Sequence, residues 1–245
     1  MAITVATMDD ATFAKASAIS RWPANTSTDY IQARNELLKE EYALRANIER
    51  VAAMRRALPQ GSLMPEYSFT EAAADQQADS ATKTTTLADL AVDGRSVVLY
   101  HFMYDPTDTE PCGMCSMIVD SFNGIGKHMA QNVNFAIVGA APLPKLQAWA
   151  KQRAWSNIRV LSSHGTTFNK DMNVERPEWA KDSNQIPGVS VFRKDEEGKV
   201  RHVYTAYASI DPGSERGLDL LAGTYNVLDL TPEGRGDWYA SNEYF

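Results

Sequence analysis

Cysteine is nearly absent from this chain: there are two in 245 residues. That excludes the disulfide framework that staples small secreted domains. Basic charge is also short. Lys and Arg number 24 against 31 Asp and Glu, a formal net charge of −7, so a broad basic face for nucleic acid is not expected. No apolar run reaches the ~18 residues of a membrane-spanning helix. The first 25 residues carry Asp9, Asp10, Lys15 and Arg21 and no continuous apolar core, so no signal peptide is expected and a cytoplasmic protein is predicted, with no membrane partner. No internal repeat is visible. The overall mix, 44% hydrophobic and 22% charged, is that of an ordinary globular protein with one large domain or two small ones.

What the chain does have is the placement of its two cysteines, Cys112-Gly113-Met114-Cys115. The run Val97 to Tyr104 before them is apolar, β-branched and aromatic, and reads as a buried strand. Ser116 to Gln131 after them carries Met117, Ile118, Phe122, Ile125 and Met129 at helical spacing. A Cys-x-x-Cys pair between strand and helix is the arrangement of a dithiol redox site. The helix N-terminus favours a thiolate at Cys112, and Cys115 is then the resolving thiol. Zinc is the competing reading. It wants four ligands, and His101, His128, His164 and His202 form no close second pair, so no metal and no cofactor is expected. A static bridge would close too short a loop to stabilise much.

Along the chain, residues 1–28 read as a loosely ordered segment. Residues 29–60 read as a long helix, opened by Asp29 and Gln32 as a capping box and closed by Pro59 and Gly61. Tyr30, Leu37, Leu44, Val51 and Leu58 recur every seven residues. A helix of ~30 residues spans ~45 Å, longer than a small domain is wide, so the stripe either wraps along one side of the core or meets another copy of the chain, and a dimer or higher homo-oligomer is predicted through it. Residues 61–236 follow as a mixed α/β domain. Short strands are expected at Tyr67–Phe69 and Thr84–Leu87, with an exposed loop over 75–83 between them, and a helical turn at 87–90. Strands are expected at 97–104, 133–138, 158–161, 189–193 and 200–204. Helices are expected after the cysteines, over 142–155 and over 217–227. Residues 162–186 read as an irregular insert, and 237–245 as an aromatic tail. The alternation predicts an α/β fold with a parallel centre and an antiparallel closing hairpin.

The strand leading into Cys-x-x-Cys, a later Ile186-Pro187-Gly188 before a strand, a hairpin and a terminal helix resemble the thioredoxin fold. Tyr67 to Phe69, Thr86 to Leu90 and Val97 to Tyr100 are similar to the branch that includes peroxiredoxins. More closely, Tyr100 to Tyr104, Cys112 to Ser116, Pro187 to Phe192, Arg216 to Tyr225 and Leu228 to Pro232 resemble the bacterial family catalogued as domain of unknown function 899, predicted dithiol–disulfide oxidoreductases. The resemblance implies a thioredoxin-like fold with a central mixed sheet, and Cys112 as nucleophile. It implies substrate docking at Ile186 and a cis Pro187, with a disulfide-bearing protein or small molecule and a thiol reductant as partners. A buried acid often lies about six residues before the first cysteine in such proteins; Pro106 stands there, with Asp105 beside it. A peroxiredoxin-like site would need Pro-x-x-x-Thr-x-x-Cys, and here Thr109 fits while Pro106 is one residue too close; Arg159 and Arg193 are the candidate supporting arginines. A non-catalytic binding protein on the same fold is the third reading.

Three further expectations concern the surroundings. His101 is a candidate for proton transfer, against a buried, hydrogen-bonded structural histidine. His164, Asp171 and Trp179 are candidates to line a cleft. Asp105, Asp108, Glu110 and Asp120 are expected to oppose the Cys112 thiolate.

Overall fold

A computed structural model describes residues 10–18, 22–72, 82–180, 184–208 and 217–244. The chain divides into two compact units at Pro59/Gln60. The first unit is helical: α1 (Asp10–Ala18) and α2 (Thr28–Arg56). Helix α1 falls where loose order was expected; Phe13 packs edge-on against Tyr42 of α2, which gives the short helix an apolar partner. The start of α2 also differs from the expected capping box. Ser27 is the N-cap, its hydroxyl accepting from the Tyr30 N–H at 3.2 Å, and Asp29 instead sits in the first turn beside the positive helix end. Tyr30, Leu37, Leu44, Ile48 and Leu58 are exposed.

The second unit is built on a seven-stranded sheet in the order β2-β1-β5-β4-β3-β6-β7. The strands are β1 (Ser68–Ala72), β2 (Thr82–Thr86), β3 (Val97–His101), β4 (Asn134–Gly139), β5 (Arg159–Ser162), β6 (Gly188–Lys194) and β7 (Val200–Tyr207). The central strands β3, β4 and β5 are parallel; all other pairings are antiparallel. Near-continuous apolar sequence in β3 and β4 suits strands covered on both faces. Threonine-rich β2 suits an edge, where Lys83 discourages further pairing. The helices are α3 (Leu87–Leu90), α4 (Gly113–Met129), α5 (Leu143–Gln152), α6 (Phe168–Asp171) and α7 (Gly223–Leu228). This is an α/β fold with a mixed central sheet and helices.

Two hydrophobic cores lie on opposite faces of the sheet. Tyr100, Phe102, Cys115, Val119, Phe122, Trp149 and Trp155 share one, under α4 and α5. Val97, Leu99, Leu87, Leu90, Phe168 and Phe192 share the other. The alternation along β3 makes this division, since neighbouring side chains on a strand point to opposite faces.

Three expectations change. The strand after Val97 ends at His101. The expected terminal helix is a 3-10 turn at Asp219–Leu221 followed by α7, because Ala222 leaves helical geometry between them (φ −106°, ψ 80°). The insert at 162–186 is not structureless. It forms α6 and a bridge between Glu175 and Gln185, and it delivers Phe168, Met172 and Val174 to the core. Most of the loop expected over 75–83 lies outside the described residues; Thr82 and Lys83 belong to β2.

Candidate dithiol site

Helix α4 begins immediately after Cys112, which is its N-cap residue. The loop into it is held by the Cys112 N–H donating to the Met103 carbonyl at 3.1 Å. On the helix side, the Ser116 N–H and hydroxyl both donate to the Cys112 carbonyl, at 3.0 and 3.1 Å, and Trp149 Nε1 donates to the Ser116 hydroxyl at 3.1 Å. Cys112 is therefore fixed at a helix start, where free amide N–H groups point outward. Both cysteines are free thiols; Cys112 is half-buried and Cys115, one turn inside, is fully buried.

The two sulfurs are driven in opposite directions. A hydrogen bond from the Cys115 thiol is the largest influence on Cys112. Together with the N–H groups of Cys115 and Met114 and the Tyr239 hydroxyl, it overcomes burial and lowers the Cys112 thiol to about 6. Burial raises Cys115 well above the ordinary thiol value, and the neighbouring Cys112 sulfur adds to this. The expected opposition from carboxylates does not dominate. Asp105 and Asp108 are engaged in their own turn, Glu110 accepts from Asn242, and Asp120 is paired with Arg153 and Trp155.

Cys112 opens into a depression of about 360 Å³ lined by Met103, Asp105, Asp108, Glu110, Asn184 and Gln185. Asn184 and Gln185 arrive from the insert. The Arg176 N–H donates to the Asn184 carbonyl at 3.0 Å and the Ile186 N–H to the Val174 carbonyl at 2.9 Å, folding the segment back on itself. This corrects the expectation for Ile186 and Pro187. Pro187 stands at the same end of the sheet as the cysteine loop, since Gly188 pairs with His101. The peptide bond before it is trans, however, as no cis bond occurs among the described residues. Ile186 is buried with its N–H already committed to Val174, so that N–H is not free to pair with a substrate chain.

His101 is not beside the sulfurs. It faces the opposite core, where its ring stacks on Phe168 and Nε2 meets the Ser190 hydroxyl at 2.7 Å. Burial lowers it to about 3, so it is neutral across the physiological range. The expectation of proton transfer fails by one residue: Tyr100, its neighbour, is the ring on the cysteine face. The Tyr100 hydroxyl is buried without a hydrogen bond of good geometry, and Cys115 is the polar group it faces. Asp105 does not serve as a buried acid either. Hydrogen bonds from the Thr107 N–H and hydroxyl hold it below the usual carboxylate range, in a half-buried turn.

The other cleft candidates lie elsewhere. Asp171 accepts from Tyr67 and Thr167, Trp179 packs on Tyr207, and His164 meets the Ala140 carbonyl. Among the described residues no cluster of three or more His, Cys, Asp or Glu could hold a metal ion. No helix among them is long and apolar enough to cross a membrane.

The residues that sequence reasoning missed are Tyr100, Tyr239 and the tail around it. Read as an unplaced aromatic segment, the tail lies across the start of α4, with the Ala240 carbonyl oxygen 2.6 Å from where a Cβ on Gly113 would be. Its only sequence signal is the concentration of aromatics from Trp238 onward.

The family profile described as a bacterial protein of unknown function, DUF899, matches residues 19–245. The chain belongs to the DUF899 family. Within this DUF899 chain both cysteines, the depression and the C-terminal tail fall inside the matched span. No curated protein matches significantly. Among solved structures, a peroxidoxin BcpB from Mycobacterium tuberculosis is 17% identical with a TM-score of 0.45, covering 70% of this chain and 98% of that one. A Plasmodium vivax 2-Cys peroxiredoxin is 17% identical with a TM-score of 0.43, covering 69% and 97%. A peroxiredoxin-like protein from Aquifex aeolicus is 18% identical with a TM-score of 0.40, covering 61% and 76%.

Proposed function

We propose that this DUF899 protein is a dithiol–disulfide oxidoreductase. The observation that carries the reading is the asymmetry of the pair: an accessible, acidified Cys112 at a helix start and a buried Cys115 one turn inside. The Cys112 thiolate attacks one sulfur of a substrate disulfide. The substrate S–S bond breaks, a mixed disulfide forms, and the departing thiolate takes up a proton. Cys115 then loses its proton and attacks Cys112 Sγ, releasing the second substrate thiol and leaving a Cys112–Cys115 disulfide. A dithiol reductant returns the enzyme to its starting state. The substrate docks in the depression beside Cys112, along the segment Asn184 to Pro187. The peptide backbone of Ile186 contributes less than its position suggests, because its N–H is occupied.

The test is reduction of insulin disulfides with a dithiol donor, run beside peroxide consumption with the same donor. Disulfide exchange without peroxide turnover is expected. Peroxide turnover alone would replace this reading with a thiol peroxidase, and neither activity would favour a binding protein. The peroxidase lacks local support: Arg159, one candidate arginine, is bound to Glu71 on β1, and Arg193 lies along β6 beside a different depression. Self-association through α2 belongs to the same proposal, supported by the exposed Tyr30, Leu37 and Leu44 of its seven-residue stripe. Light scattering is expected to give at least a dimer, and a monomer at working concentrations ends that part of it.

A further inference from the structure

The residues after α7 return to the cysteines. Trp238 meets the Tyr225 ring edge-to-face at 6.1 Å between centroids, and the Tyr225 hydroxyl donates to Met114 Sδ at 3.1 Å. Beyond Trp238 the backbone crosses the first residue of α4. A Cβ on Gly113 would lie 2.6 Å from the Ala240 carbonyl oxygen and 3.0 Å from Ser241 backbone atoms, a contact that neither backbone can relieve by rotating a side chain. Asn242 Nδ2 donates to the Pro111 carbonyl at 2.8 Å, on the other flank of Cys112. Farther along, Arg153 donates to the Asn242 carbonyl at 3.1 Å, and the Tyr244 hydroxyl donates to Asp120 at 3.0 Å. The segment is thus tied to the loop before Cys112, to α4 and to the end of α5. Glycine within the Cys-x-x-Cys pair is what allows so close a crossing.

This strap has one group aimed at chemistry. Ala240 is buried against Gly113, so Tyr239, which is 67% exposed, stands one residue before the crossing and beside Cys112, and the two groups influence each other's acidity. A phenol held beside a helix N-cap thiolate supplies one more O–H donor to the anion, in addition to the helix N–H groups.

We propose, resting on the dithiol reading of Cys112 and Cys115, that the C-terminal strap is part of the active site. Crossing on Gly113, it holds the Tyr239 hydroxyl as a hydrogen-bond donor to the Cys112 thiolate. Tyr239 is then a catalytic residue contributed by the tail. The strap also closes one side of Cys112, so substrates reach the sulfur from the Asp105–Gln185 side.

The experiment follows the pH dependence of Cys112 alkylation and of ultraviolet thiolate absorbance in the reduced, full-length protein, with mass spectrometry assigning the modified cysteine. Tyr239→Phe is expected to move the midpoint upward by roughly half to one pH unit, and to slow alkylation below that midpoint severalfold. Because the ring is largely exposed, folding and far-ultraviolet circular dichroism should be unchanged. Gly113→Ala, which must lift the strap, is expected to shift the midpoint in the same direction by at least as much. An unshifted midpoint in Tyr239→Phe overturns the proposal, whatever Gly113→Ala does. Since the thiolate itself is read, a protein that shows the Tyr239 shift but exchanges no disulfides keeps this inference and loses the proposed function.

Discussion

Tyr100 and His101 are consecutive residues of one strand, both almost fully buried and each with one polar atom that lacks a hydrogen bond, Oη and Nδ1 respectively. They serve different sides of the sheet. Tyr100 faces the cysteine core, and burial raises its hydroxyl well above the ordinary value, with the Cys115 charge adding to it. His101 faces the aromatic core of Phe168 and Phe192, and burial lowers it to about 3. Burial acts on both in the same sense, against the charged form, and so moves an acid up and a base down. The polar chain on the histidine side runs from His101 through Ser190 and Thr205 to His202, with contacts of 2.7, 2.8 and 2.7 Å, and does not touch the sulfurs. A one-residue step along β3 therefore separates thiol chemistry from a structural hydrogen-bond chain. The sheet acts as a wall between them.

The wall can be tested from both sides. Cys112→Ser has the largest expected effect on function: disulfide exchange should vanish, while unfolding free energy changes by no more than ~0.5 kcal/mol, as for a half-buried, near-isosteric change. A collapse of stability would mean that Cys112 holds the fold as well as reacting.

Phe168→Ala should do the reverse. Removing a fully buried ring that stacks on His101 is expected to destabilise the protein by ~3–5 kcal/mol in denaturant titration. The Cys112 alkylation midpoint should stay near its starting value in the folded protein. A displaced midpoint would show that the two cores communicate through β3.

A smaller effect is expected from His101→Leu, read as pH dependence. The folded histidine is depressed from 6.5 to about 3. The unfolded chain then binds the proton more readily, so this contribution to stability is complete above pH 6.5 and is lost as pH falls toward 3. Unfolding curves for His101→Leu should be flatter over that window than those of the parent, with the reduced protein's alkylation profile unchanged. Equal slopes would remove His101 as a titrating group.

Tyr100→Phe carries the smallest expected change. Its hydroxyl makes no hydrogen bond of good geometry, so stability should move by less than ~1 kcal/mol. Resolution by Cys115 should slow severalfold, seen as a longer-lived mixed disulfide on Cys112 in quenched reactions, because the hydroxyl that faces Cys115 favours its thiolate. An unchanged lifetime would leave Tyr100 a packing residue only.

Much of this could be read in the chain itself, and the places where it could not have common causes. The strand before the cysteines and the helix after them rest on local periodicity, which survives folding. The position of His101 near the end of β3 was also legible, but its facing was not, because one residue of strand phase decides the face. The insert was opaque for a different reason. Phe168, Met172 and Val174 fill the core at spacings set by a one-turn helix and a bridge, so no period of 2 or 3.6 runs through them. Pro187 offered a docking residue by its place before a strand, but the Ile186 N–H donates to the carbonyl of Val174, twelve residues earlier.

By itself, the sequence determined the α/β class, the order of most strands and helices and the location of Cys112 and Cys115 at a strand-to-helix turn. Each depends on residue type and near-neighbour spacing, and these are local quantities. Only the tertiary structure decided which groups surround the sulfurs. Tyr239 stands 127 residues from Cys112 in the chain, and Asn184 and Gln185 come from an insert with no readable period. The acidity of a thiol depends on the donors and the burial it meets in space. Long-range packing brings those together, and no local pattern in the sequence encodes them.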